Sequence, residues 1–292
     1  MNKRMPPLIA LRAFEAVGRT GSIRAAGDEL GVSHTVVSRH VRNLEEYIGA
    51  DLIEQHGRGI VLTAQGRRFH TRISGSFSDI LRATAELSPT YRRSLEVWCM
   101  PGIAHHLLLS VLDELRSSLP DVDLSFKPTL ERPDLAHGQA DAEIFYLDRT
   151  ELDEAIRYEE LARPRVFPVA SPDFAGAHPE IRRIEDLLVA PLLHEQSTRY
   201  WTAWFAAAGM ADIPALPGPK LWHANFTLDA ATQGRGIALA NDVLIQRFRS
   251  GLVELLETRV TIGAYYLIVP TSRWNEADIK VLAAWAKRAL SA

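Results

Sequence analysis

Only one cysteine, Cys99, occurs in 292 residues. An internal disulfide framework is therefore excluded, and a reducing, cytoplasmic setting is expected. No apolar run approaches the ~20 residues that span a bilayer, so no membrane association is expected. The N-terminus MNKRMPPLIALRAF starts with basic residues, but Arg12 and Glu15 interrupt the apolar stretch at once, which argues against a signal peptide. A nucleophile elbow G-x-S-x-G and a phosphate loop G-x-x-x-x-G-K are both missing. Gly234 and Gly236 flank Arg235 in a helix-to-strand turn, the reverse of the order a dinucleotide fingerprint requires. His105, His106, His194 and His223 fall at no metal-ligand spacing. No catalytic residue, metal site or cofactor is expected, and an α/β hydrolase or transferase is the weaker reading.

What is present reads as an ordinary globular protein, 47% hydrophobic and 24% charged. The net charge of -3 conceals an asymmetry. Residues 1–90 carry 12 Lys+Arg against 9 Asp+Glu, a net +3, and the remainder carries 21 against 27, a net -6. A basic head on an acidic body points to an anionic partner for the head.

Within the head, Ser33 to Ile48 reads as a helix with two faces. Val37, Val41, Leu44 and Ile48 recur at steps of four, three and four, which forms one buried stripe. Thr35, Ser38, Arg39 and Arg42 occupy the opposite face, offering hydroxyls and guanidiniums suited to phosphate oxygens and base edges. Ser33 is a good N-cap. Two further helices precede it, Leu8 to Arg19 and a short one capped by Ser22 with Ile23, Ala26 and Leu30 inward. Gly31 makes the tight turn, giving a helix-turn-helix. Gly27 inside the second helix costs about 1 kcal/mol against Ala, and a packing reason is expected. After Gly49 the period becomes two, a hairpin with Arg58 at its glycine-rich tip, ready for phosphate or a minor groove. The candidate DNA-binding set is Ser33, His34, Thr35, Ser38, Arg39, Arg42 and Arg58.

Residues 63–90 read as a long helix capped by Thr63. Phe69, Ile73, Ser76, Ile80, Ala83 and Leu87 form a seam that either pairs with a second copy of the chain or folds onto its own core. Residues 91–292 alternate short strands with helices, a parallel α/β arrangement. Length and order favour two lobes, residues 91–162 with 268–292 and residues 163–267. Small molecules bind beyond the carboxyl ends of such strands, near helix N-termini. That rule selects Gly102, Ile103, Tyr146, His194, Ser197, Thr198, Asn225 and Thr227 as effector contacts, with an anion or carboxylate as the expected ligand. Trp201 and Trp222 are candidates for apolar walls or for core aromatics.

The run LRAFEAVGRTGSIRAAGDELGVSHTVVSRHVRNLEEYIGADLIEQHGRGIVLTAQG resembles the winged helix-turn-helix of LysR-type transcriptional regulators. The likeness extends through some 60 residues without a gap. It includes the GS before the second helix, the LGVS turn, VSRHVRNLE, the GxxL that follows, and LTxxG closing the wing. The family often has Gln where His34 stands, a usual alanine at Gly27, and Ser or Thr near Gly102. LLHEQSTRYWTAWFAAAG with LDAATQGRGIALAN is similar to the branch containing the glycine-cleavage and inducible beta-lactamase regulators. The resemblance implies an α/β protein of three parts: a winged helix-turn-helix (1–62), a linker and dimerisation helix (63–90), and a two-lobed, periplasmic-binding-protein-like effector domain (91–292). It also implies double-stranded DNA, a small-molecule effector, RNA polymerase and a second copy, as homodimer or homotetramer, for partners. The competing class is a solute-receptor-type binding protein in which the head only oligomerises; the wing and the missing export signal argue against it.

Overall fold

The computed structural model describes residues 5–56, 59–85, 87, 93–105, 109–150, 153–248 and 251–291. The chain divides into two units, Met1–Tyr91 with Asp134–Gln139, and Arg92–Pro133 with Ala140–Ala292.

The first unit starts with three helices, α1 (Leu8–Thr20), α2 (Ile23–Leu30) and α3 (His34–Ile48). Their spacing of apolar residues builds one core, in which Phe14, Val17, Ala26, Val37, Val41 and Leu44 are buried. Gly31 between α2 and α3 takes φ +67°, the left-handed conformation that makes the tight turn inexpensive. A β-carbon at Gly27 would lie 2.8 Å from the Val32 carbonyl oxygen, so that glycine is required by close approach to the turn. Ile48, expected on the buried stripe, is exposed, because the helix outruns the core at its last residue.

Strands β1 (Ile53–His56) and β2 (Gly59–Leu62) pair antiparallel as the wing. Glu45 on α3 anchors the entry to it, its Oε1 accepting from the Leu52 and Ile53 N–H groups at 2.8 and 3.1 Å. Helix α4 (Ala64–Ala85) follows, capped by Thr63, whose Oγ1 accepts from the Gly66 N–H at 2.9 Å. His70 on α4 is buried and bonds the Glu15 carbonyl at 2.8 Å, tying α4 to α1. Phe69, Ile73 and Phe77 pack on the head's core, whereas Ile80 and Leu87 are exposed. The expected seam therefore divides, its N-terminal half covering the chain's own core.

In the second unit, β3 (Arg93–Cys99) leads through the single turn α5 (Pro101–Ile103) to α6 (Leu109–Ser118), then β4 (Val122–Pro128) and β5 (Ala142–Leu147). The spacing of apolar residues predicts one helix from Ile103 to Ser118, of which residues 106–108 lie outside the described residues. Strand β6 (Ile156–Ala162) was not expected from the sequence. Next come β7 (Val166–Ala170), α7 (Pro172–Ala177), α8 (Arg199–Ala207), α9 (Ala224–Thr232), β8 (Ala238–Asn241) and β9 (Val253–Glu254). Strand β10 (Ala264–Pro270) and helix α10 (Ala277–Ser291) complete the order.

The larger sheet has the order β4-β3-β5-β10-β6. Strands β4, β3 and β5 are parallel, but β10 runs antiparallel to both β5 and β6, correcting the wholly parallel expectation. Hydrophobic runs specify burial and not direction, so the reversal is invisible in them. Strand β10 joins this sheet from Ala264, a little ahead of the return expected at residue 268. The smaller sheet, β8-β7-β9, is antiparallel, and Leu192 and His194 add only isolated parallel bridges to Ile237 and Lys220. Each sheet has its own core, one centred on Leu95, Ile144 and Trp285, the other on Trp201, Trp204 and Phe205.

Candidate nucleic-acid interface and ligand cavity

In the first unit a cleft of about 940 Å³ lies between the starts of α2 and α3 and the wing. Ser22 and Ser33, the caps of the two helices, both line it. Their hydroxyls accept from the Ala25 and Val36 N–H groups at 3.3 and 3.4 Å. Two helix N-termini therefore face one concavity, and the positive ends of their dipoles favour an anion there, with Asp28 also on its lining. His34 and half-buried Ser38 also line this cleft, with Gln55 and Ile60 from the wing. Thr35, Arg39 and Arg42 are exposed on the same helix outside it. Among the described residues neither Arg39 nor Arg42 has an ion-pair or hydrogen-bond partner, which leaves both guanidiniums for an external anion. Arg58 lies outside the described residues. Sequence reasoning passed over Arg24, an exposed guanidinium of α2 that lines the cleft; its signal was a basic residue two positions after the cap.

The second unit has a cavity of about 50 Å³ between the faces of its two sheets. Met100, Tyr146 and Tyr265 line it from the larger sheet, and Glu195, Tyr200, Asn241 and Leu244 from the other side. Tyr146 and Tyr265 meet at 4.9 Å between ring centroids with a T-shaped geometry, and Tyr146 and Tyr200 at 6.4 Å. Asn241 crosses the gap, its Nδ2 donating to the Tyr265 hydroxyl at 3.0 Å. An Arg199–Asp148 ion pair makes a second crossing. Burial pushes the Glu195 carboxyl up to about 7 and the Tyr200 phenol up to about 12, and raises Tyr146 and Tyr265 further.

The expected effector contacts distribute unevenly around this cavity. Tyr146 lines it. Gly102 and Asn225 stand beside its wall: a β-carbon at Gly102 would lie 2.9 Å from Asn225 Oδ1 and 3.3 Å from Leu244. The asparagine oxygen thus crowds the position a side-chain β-carbon would take. Ile103 is buried in the core beneath. His194 is buried with Nε2 on the Pro217 carbonyl at 3.2 Å, which gives it a packing role. The Ser197 hydroxyl accepts from the Arg199 N–H at 3.3 Å in a local turn. Thr198 caps α8 through its backbone, its carbonyl accepting from the Thr202 N–H. The Thr227 hydroxyl is buried and donates to the Ala224 carbonyl at 2.8 Å. Trp201 is core, its Nε1 donating to the Leu193 carbonyl, and Trp222 is 64% exposed with φ +66°. Neither lines the cavity. Among the described residues the lining contains a carboxylate and no Lys, Arg or His, which does not favour the anionic ligand expected. That expectation rested on helix N-termini, where the Ser197 and Thr227 hydroxyls are engaged in their own turns. Glu195, Tyr200, Asn241 and Tyr265 went unselected.

Residues 8–67 match the family described as bacterial regulatory helix-turn-helix protein, lysR family, and residues 90–291 match the LysR substrate binding domain. The glycine cleavage system transcriptional activator of Escherichia coli (strain K12) is 31% identical over 289 residues, 98% of this chain and 94% of that protein. The HTH-type transcriptional regulator TrpI of Pseudomonas aeruginosa is 34% identical over 256 residues, 84% of each chain. Among solved structures, ArgP from Mycobacterium tuberculosis superposes with a TM-score of 0.74 at 18% identity, covering 99% of this chain and 98% of that one, a likeness of fold.

Proposed function

The chain belongs to the LysR family of transcriptional regulators, and on that premise we propose how its parts divide the work. Arg24, Arg39 and Arg42 contact phosphates, with Arg58 of the wing tip, while Ser33, His34, Thr35 and Ser38 meet base edges. Residues 1–62 read DNA, residues 63–90 pair two copies, and residues 91–292 bind an effector between lobes 91–162 with 268–292 and 163–267. Pairing through α4 sets two recognition helices on a pseudo-palindromic site, as homodimer or homotetramer, and RNA polymerase is the further partner. The setting is the cytoplasm, and a non-enzymatic role agrees with relatives that are named as regulators.

The observation that carries the reading is the cleft faced by two capped helix N-termini, flanked by guanidiniums with no partner in the chain. Arg42→Ala tests it in a gel-shift titration at several salt concentrations. One lost phosphate contact reduces the slope of log affinity against log salt by about 1. Unchanged affinity and slope would remove Arg42 from the interface.

A further inference from the structure

Inside the second unit, the cavity between the sheets has a chemistry of its own. Its walls present three tyrosine rings, the Glu195 carboxylate and Asn241, whose side chain is already committed to Tyr265 and to the Val243 and Leu244 N–H groups. Among the described residues no Lys, Arg or His forms an ion pair with Glu195. Tyr146 is only 8% exposed, and its hydroxyl has no hydrogen-bond partner. A half-buried carboxylate and a buried phenol left unpaired are costly unless a ligand satisfies them.

Three ligand classes can be compared. An anion would face Glu195 directly. An apolar group would leave both the carboxylate and the Tyr146 hydroxyl unsatisfied. A protonated amine brings several N–H donors and a positive charge, which suit a carboxylate, a phenol oxygen and the faces of aromatic rings together. The volume of about 50 Å³ admits a head group of a few non-hydrogen atoms and no more.

We infer that this cavity is a receptor for a small primary ammonium group, held by Glu195 and enclosed by Tyr146, Tyr200 and Tyr265. The inference rests on the reading of the second unit as an effector domain and names the chemical class of the effector. It also fixes a proton balance. With its carboxyl pushed up to about 7, Glu195 must ionise as the ammonium enters, so binding releases protons and tightens with pH. Between pH 6 and 8 the ionised fraction rises about ten-fold, and affinity follows. The groups facing Glu195 hold their charge in that window: Tyr146, Tyr200 and Tyr265 are pushed upward by burial, and Arg199 is paired with Asp148. His194 is turned away onto Pro217.

The test is calorimetric titration of the full chain with methylammonium, using formate and methanol as small anionic and neutral controls, with acetate and acetamide beside them, at pH 6 and 8. Methylammonium binds saturably and releases protons, none of the controls binds, and Glu195→Gln weakens binding at least ten-fold with its thermal melt retained. If Glu195→Gln does not fold, Tyr146→Phe substitutes for it with a loss of several-fold. Binding of any control, proton uptake, undiminished binding by a folded Glu195→Gln, or no methylammonium binding overturns the proposal. A gel shift with the wild-type chain separates the two layers. DNA retarded without ammonium binding sinks only the ligand class, whereas a folded chain that retards no DNA sinks the regulatory reading itself.

Discussion

Gly66 sits where α4 passes the start of the wing, and a β-carbon there would lie 1.9 Å from the Leu52 carbonyl oxygen. The obstacle is backbone, so it cannot rotate away. Gly66→Ala is expected to destabilise the first unit by about 1–3 kcal/mol, as overpacking of a tight contact does. A thermal melt of the variant identical to wild type would contradict this. The glycine was legible as the last letter of LTxxG, although its cause, the backbone approach, was not. Glu195 shows the opposite case. It follows His194 in a polar stretch that looks solvated, and only the packing of Tyr146, Tyr200 and Tyr265 around it makes its carboxyl unusual. Burial created by residues from three distant elements has no local signature in the chain.

Among the elements, α4 carries the clearest unfinished surface. Its Ile80 and Leu81 are 53% and 71% exposed, and Leu87 just beyond it is 84% exposed. Apolar side chains so placed on one helix end suit a second copy of the same helix. Ile80→Asp with Leu81→Asp is expected to convert the proposed dimer to monomer by light scattering with helix content retained; a dimer that survives both substitutions would rule the surface out. Ile73 does not belong to this surface, because it packs on the head's own core. Helices α1 to α3 were legible because their apolar residues keep the helical period and each ends at glycine. Strand β6 was not, since IRYEELA is an edge strand in which only Leu161 is buried and no alternation survives. Strand β10 was legible as a strand but not in its direction.

At the scale of the whole molecule, a head of net +3 and a body of net -6 predict that DNA affinity resides in the first unit and falls steeply with salt. If two heads pair through α4 as proposed, they require two half-sites separated by about one helical turn of DNA, roughly 34 Å, or a multiple of it. The effector domain then has something to regulate: the geometry with which the paired heads meet those half-sites. The most direct measurement is a footprint of the full chain on DNA flanking its own coding sequence, with and without a small ammonium ligand. The prediction is a protected pseudo-palindrome whose pattern changes when the ligand is added. A folded, dimeric chain that protects no DNA at any concentration up to that of non-specific binding would contradict it.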